Sequence, residues 1–190
     1  MKPLKKISQI SIAMSSLLLL ITYFVPIWRI DLWAPQYPEG LSMFIWLDKL
    51  SGQLDIINGL NHYIGMAHIE EKMFPEFKIL PYAVAIIILF GLLTSFLKSR
   101  KILIGFIAIL IFSGIIAMYD FWNWGYKYGH NLDDSAAIKV TGMAYQPPLI
   151  GYKELLNFGA YSIPDVGGWL FVLLGVVSVS VLFFEKKTNN

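Results

Sequence analysis

The residues best suited to chemistry lie in one run, Asn58-Gly59-Leu60-Asn61-His62-Tyr63-Ile64-Gly65-Met66-Ala67-His68, which holds two of the three histidines; the third is His130. If the run is helical, His62 and Met66 share a face four residues apart, with Asn58 one turn earlier. Imidazole beside thioether is a soft donor set that selects Cu(I) over hard cations. His68 falls about 240° round an ideal helix from His62 and would need a bend to converge with it. Further ligands would come from His130, His68, Met43, Met73 or Met143. The methionines are skewed toward the same regions: Met43, Met66, Met73 and Met143 lie outside the apolar spans, Met118 ends one, and only Met14 sits within one. A plainer reading fits the same residues. Methionine is common packing filler, and the Asn, His and Tyr side chains would then form a satisfied polar network.

Other chemistry has less behind it. His62 and His130 could ligate haem axially, but no histidine falls in a span and no cysteine is present. A small haem- or quinone-linked electron-transfer subunit is therefore a distant alternative. The carboxylates Asp31, Glu39, Asp55, Glu70, Glu71, Asp133 and Asp134 belong to no triad, metalloprotease or glycine-loop motif. No enzyme activity, nucleotide or nucleic-acid partner is expected.

The elements that must position these residues are set by the bilayer. The chain of 190 residues is 56% hydrophobic, with a mean hydropathy of +0.60, which is high for a soluble domain. Four stretches, at about 7–27, 79–97, 102–119 and 166–184, approach the roughly 20 apolar residues that a span requires. None contains Asp, Glu, Lys, Arg or His, as expected where a buried charge costs a few kcal/mol or more. The two chain ends and the turn at Lys98, Arg100 and Lys101 hold eight basic residues and one acid, a net of +7. Segments 28–78 and 120–165 carry nets of −3 and −2. The positive-inside rule then predicts cytoplasmic termini and a periplasmic location for both long segments in a bacterial inner membrane. The first span outlasts a signal core and lacks a small-residue cleavage pair near Tyr23-Phe24-Val25-Pro26, so it reads as an uncleaved anchor.

The predicted class is a membrane all-α fold, one domain over 1–190. Its four transmembrane helices carry an aromatic cap made of a short helix and a small β element. Residues 28–33 alternate as a strand, 34–40 break regular structure, and 41–47 suit a second strand. Residues 51–72 read as a helix ended by Pro75. The third span should continue outward to a C-cap at Gly129. Short extended pieces are expected at 138–140 and 149–151, and a brief helix at 153–158. Gly167, Gly168 and Gly175 would let another helix approach closely.

Several runs carry a resemblance: Ala34-Pro35-Gln36-Tyr37-Pro38-Glu39-Gly40-Leu41, Leu60-Asn61-His62-Tyr63-Ile64-Gly65-Met66, Tyr128-Gly129-His130-Asn131-Leu132 and Ala144-Tyr145-Gln146-Pro147-Pro148-Leu149-Ile150-Gly151. Over most of its length the chain resembles a family of small bacterial four-span membrane proteins found with copper-handling and nitrous-oxide-reductase maturation genes. The resemblance implies a copper-enzyme assembly setting and assigns no site residues. The expected function is an accessory protein that binds or delivers Cu(I) at the periplasmic face. The alternative is a docking subunit that binds a periplasmic or membrane protein without metal.

Overall fold

The computed structural model describes residues 3–138, 142, 144–155 and 157–187, with backbone only for Lys186 and Lys187. Met143 and the predicted extended residues Lys139 and Val140 lie outside the described residues. Among the described residues, four helices are long and apolar enough to cross a membrane. They are α1 (Lys6–Leu18, prolonged by a 3-10 turn Leu19–Tyr23), α3 (Leu80–Leu97), α4 (Arg100–His130) and α5 (Val166–Lys187), while the short α2 (Leu54–Tyr63) belongs to the cap.

In the bundle α1 packs on α3 and α5, and α4 closes against both α5 and α3. Ile12, Leu19, Val84, Ile88, Leu103, Phe106 and Leu174 form its centre. Lipid chains are as apolar as leucine, so close contact between spans depends on small residues that let backbones approach. Ser16 of α1 meets Gly91 of α3 in this way: a Cβ on Gly91 would lie 2.1 Å from Ser16 Oγ and 2.9 Å from Ser16 Cβ. The Ser16 hydroxyl is satisfied within its own helix by donating to the Ile12 carbonyl at 2.7 Å. At the end of the bundle away from the cap, the Glu185 carboxylate of α5 accepts from the Lys5 backbone N–H at 2.8 Å and the Ser8 hydroxyl at 2.6 Å. It thereby caps the otherwise orphaned first turn of α1.

The cap corrects the all-α expectation. Its centre is a five-stranded antiparallel sheet of order β3-β2-β1-β5-β4. The strands are β1 (Trp28–Ala34), β2 (Tyr37–Ile45), β3 (Leu50–Gly52), β4 (Gly151–Leu155) and β5 (Phe158–Pro164). Alternation explains the first hairpin. Trp28, Ile30 and Leu32 of β1, with Leu41, Met43 and Ile45 of β2, face a core shared with Ile57, Phe74, Phe77 and Tyr128. β1 leaves the first span and β5 enters the last, and they pair from Trp28↔Pro164 to Trp33↔Gly159.

Other local departures have definite causes. The helix expected over 51–72 is only α2, because Gly65 takes a left-handed φ of 78° and ends it. The Gly65 N–H donates to the His62 carbonyl at 3.3 Å and the Met66 N–H to Asn61 at 3.0 Å, the Schellman pattern. The brief helix expected at 153–158 is instead the β4–β5 hairpin, since pairing along β5 outweighs the propensity of so short a stretch. Gly129 lies within α4 and is not its C-cap. The backbone of Tyr145 and Gln146 crosses there, and a Cβ would fall 2.3 Å from Gln146 N. Gly167 and Gly168 admit the backbone of Pro26 and Ile27, not a helix, and Gly175 has open space before it.

The Ser16–Gly91 contact predicts that Gly91→Leu destabilises the bundle by roughly 1–3 kcal/mol through overpacking. Thermal unfolding in detergent should show this, with Ser16→Gly in the same chain recovering part of the loss.

Candidate functional site

The Asn/His run lies where α2, the loop after it and the projecting end of α4 meet. Loop 64–69 has no regular structure, so its backbone groups need partners from side chains. Asn58, buried on α2, supplies two. Its Oδ1 accepts from the Ile69 N–H at 2.7 Å, and its Nδ2 donates to the Ile69 carbonyl at 3.1 Å. Asn61, one turn on, donates to the Tyr128 hydroxyl at 2.8 Å, and that hydroxyl donates to the Ala67 carbonyl. Burial pushes the Tyr128 phenol well above its ordinary value, consistent with a neutral hydroxyl held as a structural bridge. From the other side, the Asp133 N–H donates to the Gly65 carbonyl at 2.8 Å and the Ile138 N–H to the Tyr63 carbonyl at 2.9 Å.

Two aromatic stacks run up the outer part of α4. Phe121, Trp124 and Tyr128 face the cap core, with Trp124 and Tyr128 stacked at 4.9 Å and Phe74 against Trp124 at 5.1 Å. Tyr119, Trp122, Tyr126 and His130 form the second, with centroid spacings of 6.1, 5.5 and 4.0 Å.

The predicted ligands occupy distinct settings. His62 is exposed near the end of α2, beside the Tyr63 ring. Met66 lies beyond the helix and packs half-buried against the cap core, so the two do not share a helical face. Met43 is buried in the sheet between Ile30 and Gly52. His68 is exposed, with Nδ1 3.5 Å from Glu70 Oε1. Glu70 also pairs with Lys72, whose ammonium holds its carboxyl below the usual range, with His68 adding to the effect. Met73 is exposed on a 3-10 turn, Glu71–Met73. His130 is exposed at the end of α4, with Nδ1 2.8 Å from the Tyr126 carbonyl. A carbonyl can only accept, so Nδ1 carries the proton and a neutral ring keeps its lone pair on Nε2. Thus His62 and His130 sit exposed at the ends of α2 and α4, Met66 packs half-buried against the cap core, and Met43 lies within that core. Among the described residues, no three His, Asp or Glu side chains cluster to hold a metal ion.

Sequence reasoning missed Tyr128 as the partner of Asn61. The available signal was an amide at an interior helix position, which demands a donor or acceptor when buried. Comparison with protein-family models, curated proteins and solved structures finds no match to this chain.

Tyr128→Phe should cost about 1–3 kcal/mol, because it strands the buried Asn61 amide and removes the bridge to the Ala67 carbonyl. Faster hydrogen exchange over residues 61–69 would check the mechanism. A second prediction concerns Glu76, next to the start of α3. Burial and then the charge of Asp120 raise its carboxyl pKa. A raised folded-state value favours the fold below the ordinary carboxylate range, and the benefit disappears as pH rises through the folded value. Glu76→Gln should therefore raise the thermal midpoint at pH 7 and leave it unchanged near pH 3.

Proposed function

We propose that this chain is a multi-pass bacterial inner-membrane protein with both termini in the cytoplasm, and that it serves as a docking subunit without turnover of its own. Its cap would hold a protein partner on the periplasmic side. The carrying observation is the outward face of the sheet. Register places Arg29, Asp31 and Trp33 of β1 on that face with Ser42 and Phe44 of β2, Tyr161 and Ile163 of β5, and Tyr152 of β4. Trp33 is 40% exposed and Tyr152 62% exposed. Each covers a glycine backbone: a Cβ on Gly40 would lie 3.0 Å from the Trp33 indole, and one on Gly159 would lie 2.9 Å from the Tyr152 ring. Rigid aromatic side chains with one polar edge dominate the energetic centres of protein interfaces. At the middle of the face Asp31 accepts from Ser42 at 2.7 Å and pairs with Arg29 at 3.0 Å, giving a fixed polar mark.

A photoreactive residue placed at Trp33 or Tyr152 in native membranes should give one discrete protein adduct, while the same residue at Ile86 on α3 should give lipid only. Lipid or no adduct at both sheet positions would overturn the docking role.

Cu(I) handling for maturation of a periplasmic copper enzyme is a second reading. It is favoured by the His130 ring, whose tethered Nδ1 leaves Nε2 available, the arrangement common in metal-ligating histidines. Exposed His62, exposed Met73 and half-buried Met66 would be the further soft donors to test with it. Anaerobic loading with Cu(I) should leave copper on the wild-type protein and less than half as much on His62→Ala,His130→Ala. Equal copper on both would remove the reading.

A further inference from the structure

α4 and α5 leave a groove of about 420 Å³ between them on the outside of the bundle. Ile107 and Ile111 of α4 line it, with Val172, Gly175, Val179 and Ser180 of α5. Gly175 has nothing within reach of its absent Cβ, so a missing side chain widens the groove where α5 passes α4. The groove is short. Val172 to Ser180 is about 12 Å of α5, and Ile107 to Ile111 about 6 Å of α4, at 1.5 Å per residue. A spanning helix runs through a hydrocarbon core of roughly 30 Å and would seat there over less than half of its length. A hydrocarbon chain of one leaflet, about half that core in depth, matches the opening.

Beyond the groove, at the end away from the cap, α4 is cationic. Arg100 lies seven residues before Ile107, about 10 Å along the helix and within about 20° of two full turns. It therefore sits on the groove side of α4, and Lys101 follows it. Ile104 and Phe183, both exposed, continue the apolar faces of Ile107 and Val179 toward that end at spacings of three and four residues. Arg100 is half-buried, and its Nε is shielded from solvent with no hydrogen-bond partner among the described residues. Among the described residues no carboxylate pairs with Arg100 or Lys101. Glu185, the acid at this end, is engaged by α1 through the Lys5 N–H and the Ser8 hydroxyl.

We propose that the groove and this cationic end together hold one anionic phospholipid, with an acyl chain between α4 and α5 and the phosphate against Arg100 and Lys101. A guanidinium presents a planar fork of donors that fits phosphate oxygens, and a lysine adds a point charge. Basic sites between membrane helices suit anionic headgroups for the same reason. A zwitterionic lipid offers the same chain but offsets its phosphate with an ammonium group, so the two cations set the preference. The site rests on the bilayer reading above and not on the docking role of the sheet.

The full chain is purified in detergent, incubated with equal amounts of phosphatidylglycerol and phosphatidylcholine of the same chain length, and weighed by native mass spectrometry. The wild type should retain about fivefold more phosphatidylglycerol or better, and Arg100→Gln,Lys101→Gln should bring the ratio to about one. Gly175→Leu fills the groove from a Cβ position clear of other atoms to 4 Å. It should lower the retained phosphatidylglycerol about threefold or more, and it keeps the test valid if the double variant fails to fold. Lys5→Gln,Lys6→Gln removes two charges from the same end of the bundle on α1 and should keep the preference. No preference in the wild type, an equal loss in the Lys5 and Lys6 variant, or unchanged retention in Gly175→Leu would overturn the site. A chain recovered from the soluble fraction of lysed cells would overturn the bilayer reading and the site together. A membrane-bound chain without the preference overturns the site alone.

Discussion

The cap has its position because two strands continue two neighbouring spans. Four residues separate β1 from the 3-10 turn that prolongs α1, and one residue, Asp165, separates β5 from α5. α1 and α5 already pack together in the bundle. The junction is tied by backbone alone: the Asp165 N–H donates to the Ile27 carbonyl at 3.1 Å, and the Gly167 N–H to Pro26 at 2.8 Å. The Asp165 carboxylate accepts from the Val166 N–H at 2.6 Å. Donors at the start of α5 that would be orphaned at a free helix end are therefore used to hold the lead-in to β1. Any side chain at Gly168 would strike the Ile27 carbonyl, 2.4 Å from the Cβ position. The sheet thus inherits its height and direction from the helices.

The Asn/His run is explained largely by support for that sheet. α2, the loop after it and the outer end of α4 cover one sheet face, and they must do so with an irregular backbone between α2 and α3. Two buried amides and one phenol serve the Ala67 and Ile69 backbone groups. The imidazoles are left at the periphery, where they can meet solvent or a partner. Polar residues that look like a chemical site in one dimension divide here into buried structural amides and exposed histidines.

The four long apolar helices were legible because a bilayer-length run of uncharged apolar residues is a strong compositional signal. The β1–β2 hairpin was legible where β1 alternates, although β2 starts earlier than expected, at Tyr37 within the Pro/Gly-rich stretch. β5 was not, because its inner positions Ala160 and Ser162 are small and give no hydrophobic alternation, and it is held by pairing with a strand some 130 residues away. Met66 was misplaced because the helix was expected to run on through Gly65 to residue 72, whereas the left-handed backbone of Gly65 ends it. The hold of segment 133–138 on α2 and its loop, through Asp133 N–H to Gly65 and Ile138 N–H to Tyr63, was not foreseen, because no local pattern encodes it.

The β1–β5 pairing also sets a timetable for synthesis. Asp31 meets Tyr161 across the sheet, so at about 5–20 residues per second the ribosome delivers the second strand roughly ten seconds after the first. During that interval the β1–β2 hairpin stands with its central edge unpaired and open to other strands. β5, the strand that leads directly into α5, closes that edge, so the sheet is complete only when nearly the whole chain has been made.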